Sequence, residues 1–278
     1  MPVLILWQLI VKEVSIMSAP ILTRLAFVNY QLDRPEGLQI KVDPDGETGR
    51  RIEPKHDRQS VSLQDLRATP PSFASQGLLF LDTPELAVDV RDAKARDRLH
   101  TPAIEALLKQ QLGVSEVHVF DHTLRGFQGE RVPAQHVHVD YSPRSGPQRV
   151  RDLLPPEQAE QWLSGHYGIV NVWQPVEQAV ARDPLAFADT QSVQHEDWVN
   201  IDILYPDRCG QIQGLVHNPA HRWYFASEMR PDEAIVFNAF DSAGKPPVAH
   251  TAAELLDTPD DAPTRTSLET RVLVRYPD

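Results

Sequence analysis

The stretch QHVHVDY, residues 135–141, carries a titratable side chain at every second position. In an extended strand, alternate side chains share one face, so His136, His138 and Asp140 point one way and the intervening valines point the other. Three buried titratable groups are costly unless something satisfies them, and a metal ion would do so. The alternation therefore predicts a half-buried strand whose polar face lines the cavity of a β-barrel and binds a metal there.

A third ligand for such a site is expected on a different strand. His250 lies in VAHTA, residues 248–252, and follows His138 by 112 residues, a separation that a few barrel strands can fill. Two imidazoles and one carboxylate on one face of an octahedral iron leave three positions for a co-substrate and O2. We therefore expect His138, Asp140 and His250 to be the catalytic residues that bind Fe(II). His136 shares their face and is predicted to line the cavity rather than to bind the metal.

A guanidinium 15 residues after His250 suits the co-substrate of such an iron site. Arginine binds a carboxylate through two parallel hydrogen bonds, a geometry that lysine cannot match. Arg265 and Ser267 share a strand face in TRTS, and together they are predicted to hold the distal carboxylate of 2-oxoglutarate. Arg271 has the same parity and is the alternative. Asn171, in IVNVW, is either a contact to 2-oxoglutarate or substrate, or a structural hydrogen-bonding residue.

The rest of the chain predicts many short strands with turns between them. A helix is predicted at residues 101–112, where the apolar residues recur on one face and Gly113 ends the pattern. A second, shorter helix is predicted at 155–164. Strands are predicted at residues 77–81, 116–120, 135–141, 169–173, 198–204, 222–226, 234–240, 248–252 and 267–276. This organisation indicates a sandwich or barrel, and hence a mainly β fold with flanking helices.

Charge and cysteine content exclude several classes of protein. The formal net charge is −12, and no cluster of lysine and arginine forms a basic face, so neither nucleic acid nor an anionic membrane is an expected partner. The single cysteine, Cys209, excludes an internal disulfide framework and a cysteine-based zinc site, and it predicts a cytoplasmic location. Residues 2–11 are apolar but too short to span a bilayer. Because Met17 is typical of a natural start, residues 1–16 are interpreted as a possible upstream extension.

The second half of the chain resembles a known family. It is similar to the group of Fe(II)- and 2-oxoglutarate-dependent oxygenases that includes the cephamycin-biosynthesis protein CmcJ, the fungal gibberellin desaturase and the AsaB-like hydroxylases. The matching stretches are VHVFDHTLR (117–125), HVDYSPRSGPQRV (138–150), NVWQPV (171–176), DPLAFADTQSV (183–193), HNPAHRWYFASEMRPDEAIVFNAFDS (217–242), AHTA (249–252) and APTRTSLETRVLV (262–274). The chain departs from the group at Gln174, where arginine is usual, and at Ala249 and Thr264, where proline is usual.

The resemblance implies a single domain, residues 1–278, with a double-stranded β-helix (jelly-roll) core over 114–278. Residues 17–113 would supply flanking strands and helices. The implied ligands are again His138, Asp140 and His250, with Arg265 or Arg271 for 2-oxoglutarate. The implied activity is the hydroxylation or desaturation of a small molecule in specialised metabolism. Two alternatives stay open: a cupin-type metalloenzyme that does not use 2-oxoglutarate, and a non-catalytic β-barrel that binds small molecules.

Overall fold

The computed structural model describes residues 23–32, 38–42, 51–52, 54–126 and 133–277. The apolar stretch at 2–11 and Met17 lie outside these residues. Within the described residues the strands are β1 Thr23–Gln31, β2 Leu38–Val42, β3 Arg51–Ile52, β4 His56–Asp65, β5 Leu78–Asp82, β6 Glu116–Arg125, β7 His138–Val139, β8 Tyr167–Pro175, β9 Leu185–Ala188, β10 Trp198–Leu204, β11 Cys209–Leu215, β12 Trp223–Phe225, β13 Glu233–Asp241, β14 His250–Ala252, β15 Glu254–Leu255 and β16 Ser267–Arg275. The α-helices are α1 Phe73–Gln76, α2 Ala93–Ala95, α3 Thr101–Leu112, α4 Ser145–Leu153 and α5 Pro156–Leu163.

The strands form two sheets. The larger has the order β15-β1-β4-β12-β9-β14-β7-β11-β10-β2-β3, and the smaller has the order β5-β13-β8-β16-β6. Buried side chains from both sheets meet in shared clusters; for example, the ring of Phe187 on β9 contacts that of Phe237 on β13 at 5.2 Å between centroids. The mainly β fold with flanking helices that the sequence predicts is confirmed, and 114–278 contains the strands that carry the predicted site.

Helix α3 packs on the outer face of the smaller sheet. Its buried residues Ile104 and Leu108 join a cluster with Val170 and Val172 of β8, while Asn171 and Trp173 between them face the other way, toward the larger sheet. Alternation along β8 thus divides the strand into a structural face and a face that is available to the site. The predicted helix bounds are confirmed, and Gly113 ends the helix in the left-handed region at φ 67°.

The start of α3 has no side-chain cap. Thr101 does not cap the helix, because helix α2 and a five-residue π-helical turn at Arg96–His100 run directly into it. The Thr101 hydroxyl instead lies 3.1 Å from Nε2 of His122 on β6. Thr101 therefore connects helix α3 to the smaller sheet through a hydrogen bond and does not cap the helix.

The N-terminal strands extend the same sheets that carry the predicted ligands. Strands β1 and β4 pair along nine residues, and β4 also pairs with β12 of the larger sheet. Strand β5 pairs with β13 of the smaller sheet. The division into a flanking region at 17–113 and a core at 114–278 stays a prediction. No helix among the described residues is both long enough and apolar enough to cross a membrane.

Candidate metal centre

His138 and His250 lie directly opposite each other on neighbouring strands. They form a register pair between β7 and β14, and their ring centroids are 4.6 Å apart. Asp140 follows two residues after His138, with its Oδ1 3.7 Å from His138 Nε2. One ligand atom from each of the three residues lies within 4.8 Å of the other two. The structure therefore brings together the three residues that the sequence predicts, with a spacing that one metal ion can bridge.

Both imidazoles are held in the tautomer that a metal requires. Nδ1 of His138 lies 2.9 Å from the carbonyl of His136, and Nδ1 of His250 lies 3.2 Å from the carbonyl of Val248. A carbonyl only accepts, so each Nδ1 carries the proton and donates it, and each Nε2 keeps its lone pair for the site. Burial lowers the pKa of both side chains, that of His138 to about 4, with the neighbouring His250 adding to the effect. Two neutral imidazoles fit a divalent cation.

The carboxylate of Asp140 is held through one of its two oxygens. Asn171 Nδ2 donates to Oδ2 at 2.8 Å, and Arg271 Nε donates to the same oxygen at 3.2 Å. Burial alone would raise the pKa of the Asp140 carboxyl, but the charge of Arg271 and the hydrogen bond from Asn171 contribute to holding it well below its usual range. Oδ1 thus remains available on an ionised carboxylate. Outer partners of this kind orient a metal ligand.

The guanidinium of Arg271 binds carboxylates of the protein itself. It donates to Asp121 Oδ2 at 2.5 Å and to Asp140 Oδ2, and it forms an ion pair with Glu269 on its own strand. Its NH1 also donates to the hydroxyl of Thr123 at 3.0 Å. With these partners in place, little of the group remains to bind an added carboxylate. Of the two arginines proposed from the sequence, the geometry favours Arg265 for 2-oxoglutarate.

Arg265 lies at the far side of a small cavity that begins at the two histidines. The cavity is lined by Arg125, Ala134, His138, Trp173, Leu185, His250, Arg265 and Glu269. Arg265 is only 3% exposed, its NH1 donates to the carbonyl of Asp183 at 2.5 Å, and its guanidinium carbon lies 5.3 Å from the centroid of the Trp173 ring. Its Nε and the Ser267 hydroxyl have no hydrogen-bond partner among the described residues. Burial, assisted by Arg125, lowers the pKa of Arg265 to about 10, so the group is still a cation at neutral pH and suits a carboxylate.

A second and much larger cavity opens on the other side of the ligands. Its volume is about 1680 Å³, and His136, His138, Asp140 and Tyr141 all contribute to its wall. His136 is therefore in the cavity wall, as predicted. The parity rule is wrong for Tyr141, which it places on the face opposite Asp140. Strand β7 ends at Val139, so the alternation stops before Asp140 and both residues reach the same cavity.

Several other polar residues of the sequence lie away from the centre. The Asp241 and Ser242 side chains accept hydrogen bonds from the backbone of Ala243 and Tyr167, so they close a turn. His221 binds Asp197 and Tyr30 inside the larger sheet. Gln174, where the resembling group has arginine, contacts His100 and the carbonyl of Leu86 behind the smaller sheet. None of these side chains lines the two cavities described above.

Two carboxylates of the site escaped sequence reasoning: Asp121 and Glu269. Asp121 sits opposite Arg271 in the register of β6 with β16, and Glu269 lies two residues before Arg271 on the same strand face. Strand parity alone would have found Glu269, since it alternates with Arg271, which was already singled out. Asp121 needed the pairing of β6 with β16, which only the structure gives.

The two packed sheets hold a buried cluster of two histidines and one carboxylate beside a pocket with a buried arginine. This combination defines the class of jelly-roll oxygenases. The chain belongs to the family described as "Oxidoreductase/YMDC permease-like domain", whose profile matches residues 25–275. Its fold is shared by the iron and alpha-ketoglutarate-dependent endoperoxidase NvfI, with a TM-score of 0.79 at 24% identity over 92% of this chain and 98% of NvfI. The jelly-roll prediction is confirmed.

Fungal relatives agree with this assignment. The alpha-ketoglutarate-dependent dioxygenase phiK of a fungal species is 27% identical over 90% of this chain and 95% of its own length. The hydroxylase/desaturase efuI of Hormonema carpetanum is 28% identical over 81% of this chain and 86% of its own. The hydroxylase/desaturase asaB of Aspergillus flavus is 31% identical over 57% of this chain and 75% of its own. The family resemblance inferred from the sequence is confirmed.

Proposed function

We propose that this protein is an Fe(II)- and 2-oxoglutarate-dependent oxygenase that hydroxylates or desaturates a small molecule. His138, Asp140 and His250 bind the iron, and Arg265 with Ser267 binds the distal carboxylate of 2-oxoglutarate. The proposal rests on one observation, in which two features of the site lie side by side. Three ligand atoms converge within 4.8 Å, and a buried, incompletely hydrogen-bonded guanidinium lies across a small cavity from them.

The iron, when bound, supplies the oxidising chemistry by coupling O2 reduction to the decarboxylation of 2-oxoglutarate to succinate and CO2. The protein positions the groups that bind the metal and excludes water from the site. Asn171 and Arg271 fix the orientation of Asp140, and backbone carbonyls fix that of both imidazoles. Trp173 and Leu185 wall the small cavity with apolar surface, which strengthens the attraction between Arg265 and a carboxylate.

Arg265 favours this function over the two alternatives. A cupin-type centre without 2-oxoglutarate, or a non-catalytic binding barrel, has no need of a buried cation facing the metal ligands. Burying an arginine with an unfilled donor is costly, and a bound carboxylate offsets that cost. We also propose a cytoplasmic location. Its support is that the single cysteine, Cys209, is free and exposed.

The first test is spectroscopic and needs no substrate. Purified protein is mixed with Fe(II) and 2-oxoglutarate under argon, and the visible charge-transfer band of the chelated keto acid is recorded. We expect the band in the natural protein and its loss in His138→Ala and Asp140→Ala. Arg265→Gln should form the band only at 2-oxoglutarate concentrations about tenfold or more higher, because it loses a charge-assisted pair.

The matched control for that variant is Arg182→Gln. Arg182 donates to the backbone carbonyls of Pro259, Asp260 and Ala262 close to Arg265, but it does not line the small cavity. We expect its 2-oxoglutarate titration to match that of the natural protein. If Arg265→Gln also titrates normally, the carboxylate is bound elsewhere. If no band forms in the natural protein, the oxygenase proposal fails.

A further inference from the structure

Helix α4 forms one wall of the large cavity and carries a polar face toward it. Ser145, Gln148, Arg149 and Asp152 line the cavity, and their i, i+3, i+4 and i+7 spacing places them on one side of the helix. The opposite side packs on the core. A β-carbon added at Gly146 would lie 2.5 Å from the Phe240 ring, so no side chain fits there. The helix therefore rests closely on the core and presents a defined row of polar groups to whatever enters the cavity.

Arg149 differs from the other two arginines at this helix. Arg144 pairs with Asp202 at 3.0 Å, and Arg151 pairs with Glu160 at 3.5 Å. Arg149 has no carboxylate or other hydrogen-bond acceptor among the described residues. Asp152, the acid one turn away, is instead bound by Gln148 at 2.8 Å.

An aromatic ring holds Arg149 in place while leaving its donors open. The guanidinium carbon lies 5.0 Å from the centroid of the Phe120 ring. Phe120 is the extra residue in β6 where the register with β16 shifts between Arg271 and Val272. A bulge of this kind redirects a side chain beside an active site. A cation–π contact of this kind uses the face of the ring and leaves the N–H groups of the guanidinium available to an anion.

The charge of the cavity wall also favours an anionic ligand. The chain has a formal net charge of −12, yet among the described residues six arginines and three aspartates line this cavity. Two of the aspartates, Asp121 and Asp140, are paired with Arg271, and Arg91 is paired with Glu177. An acidic protein that lines a cavity with more cationic than anionic side chains attracts anions to that cavity.

The position of Arg149 separates it from the 2-oxoglutarate pocket. Arg149 lines the large cavity, Arg265 lines the small one, and His138 lines both. The two cavities therefore meet at the metal ligands. A molecule bound by Arg149 in the large cavity thus lies near the reacting centre without competing for Arg265.

Building on the proposed function, we infer that the substrate is an organic acid and that Arg149 binds its carboxylate. The N–H groups of the guanidinium would donate to the planar anion edge-on, while the Phe120 ring contacts the cation on one face. The carbon to be oxidised then lies on the part of the molecule that reaches the metal ligands. A volume of about 1680 Å³ exceeds the roughly 300–1,000 Å³ of common ligand pockets, so a molecule of several rings or a long chain can enter.

The test compares acids with their uncharged esters. Isothermal titration calorimetry is run under argon with Fe(II) and saturating 2-oxoglutarate, so that Arg265 is already occupied. The probes are phenylacetate, trans-cinnamate and hexanoate, each beside its methyl ester. We expect at least one acid to bind tenfold or more tightly than its ester. Arg149→Gln should abolish this preference, Arg149→Lys should keep part of it, and Arg144→Gln and Arg151→Gln should leave it unchanged.

The outcomes separate this inference from the proposed function. If no acid binds more tightly than its ester, or if Arg149→Gln keeps the preference, the inference is overturned. The visible band with Fe(II) and 2-oxoglutarate, measured on the same samples, should be unchanged in Arg149→Gln and shows that the variant is folded. If that band is absent from the natural protein, the oxygenase proposal fails, while the preference for acids is still measured in the metal-free protein.

Discussion

The two oxygens of Asp140 have different neighbours, and this asymmetry gives the carboxylate its direction. Asn171 and Arg271 both donate to Oδ2, while Oδ1 faces His138. A free carboxylate can turn about its last bond and present either oxygen or both. Two donors on one oxygen remove that freedom, so the metal-binding atom is chosen before a metal arrives. The hydrogen bond from Asn171 to Asp140 thus supports a structural role for Asn171, one of the two alternatives that the sequence leaves open.

Asn171→Ala is expected to weaken Fe(II) binding by roughly ten- to a hundredfold, because outer partners of metal ligands contribute on that scale. Fe(II) affinity is measured by anaerobic titration, with melting temperature recorded in parallel. Asn238→Ala is the matched control: Asn238 is equally buried on the neighbouring strand, but it donates to the carbonyls of Lys245 and Pro246. Both variants should lose stability, and only the first should lose affinity. Equal affinities in the two variants would remove Asn171 from the centre.

At the scale of elements, helix α4 follows Asp140 in the chain and forms one wall of the large cavity. It begins five residues after Asp140, and its buried residues Gly146 and Val150 face the core. The lack of a side chain at Gly146 sets how closely the helix approaches Phe240. The position of the polar cavity wall therefore depends on one contact between a backbone and a ring.

Gly146→Ala is expected to lower the free energy of unfolding by about 1–3 kcal/mol, the usual cost of overpacking. The added methyl would sit 2.5 Å from the Phe240 ring, so the helix or the ring must move. Urea denaturation measures the loss. In a double-mutant cycle with Phe240→Leu, the second change should offset part of the first, since it removes the colliding ring edge. Strict additivity of the two changes would show that the contact does not limit the helix.

Some elements were predictable from the sequence, and others were not, for a physical reason. Strands such as β8 and β13 are rich in buried apolar residues, so their own sequence is enough to predict them. Strands β4 (HDRQSVSLQD) and β11 (CGQIQGL) are polar or glycine-containing, and sheet pairing rather than local preference makes them strands. The cluster of His138, Asp140 and His250 could be predicted because the spacing of its first two members reflects strand alternation. The carboxylates around Arg271 depend on the register between strands far apart in sequence, which spacing does not reveal.

At the scale of the whole molecule, buried histidines couple stability to pH. Burial is the largest cause of a lowered pKa in five of them: His100, His122, His138, His221 and His250. For His122 and His138 the folded pKa is about 4, below the unfolded value of 6.5. Between these values the unfolded chain binds more protons than the folded one. Stability is therefore complete above pH 6.5 and declines as the pH falls toward 4.

The metal-free protein is thus expected to lose unfolding free energy between pH 7 and pH 5. The slope should approach at least one proton, about 1.4 kcal/mol per pH unit, at the acid end of that range. Urea denaturation of chelator-treated protein at several pH values measures it. His122→Asn, which removes one such histidine away from the metal ligands, should flatten the slope. A stability that does not change from pH 7 to pH 5 would contradict the assignment of these imidazoles as buried and neutral.

The register pair between β7 and β14 also has a consequence for biosynthesis. His138 and His250 are 112 residues apart, so a growing polypeptide that has not yet reached residue 250 holds only two of the three ligands. Arg265 follows after another 15 residues, roughly one to three seconds of translation. The three proposed ligands therefore cannot meet at one metal ion until most of the chain has been synthesised, and the proposed cation for 2-oxoglutarate is added later still.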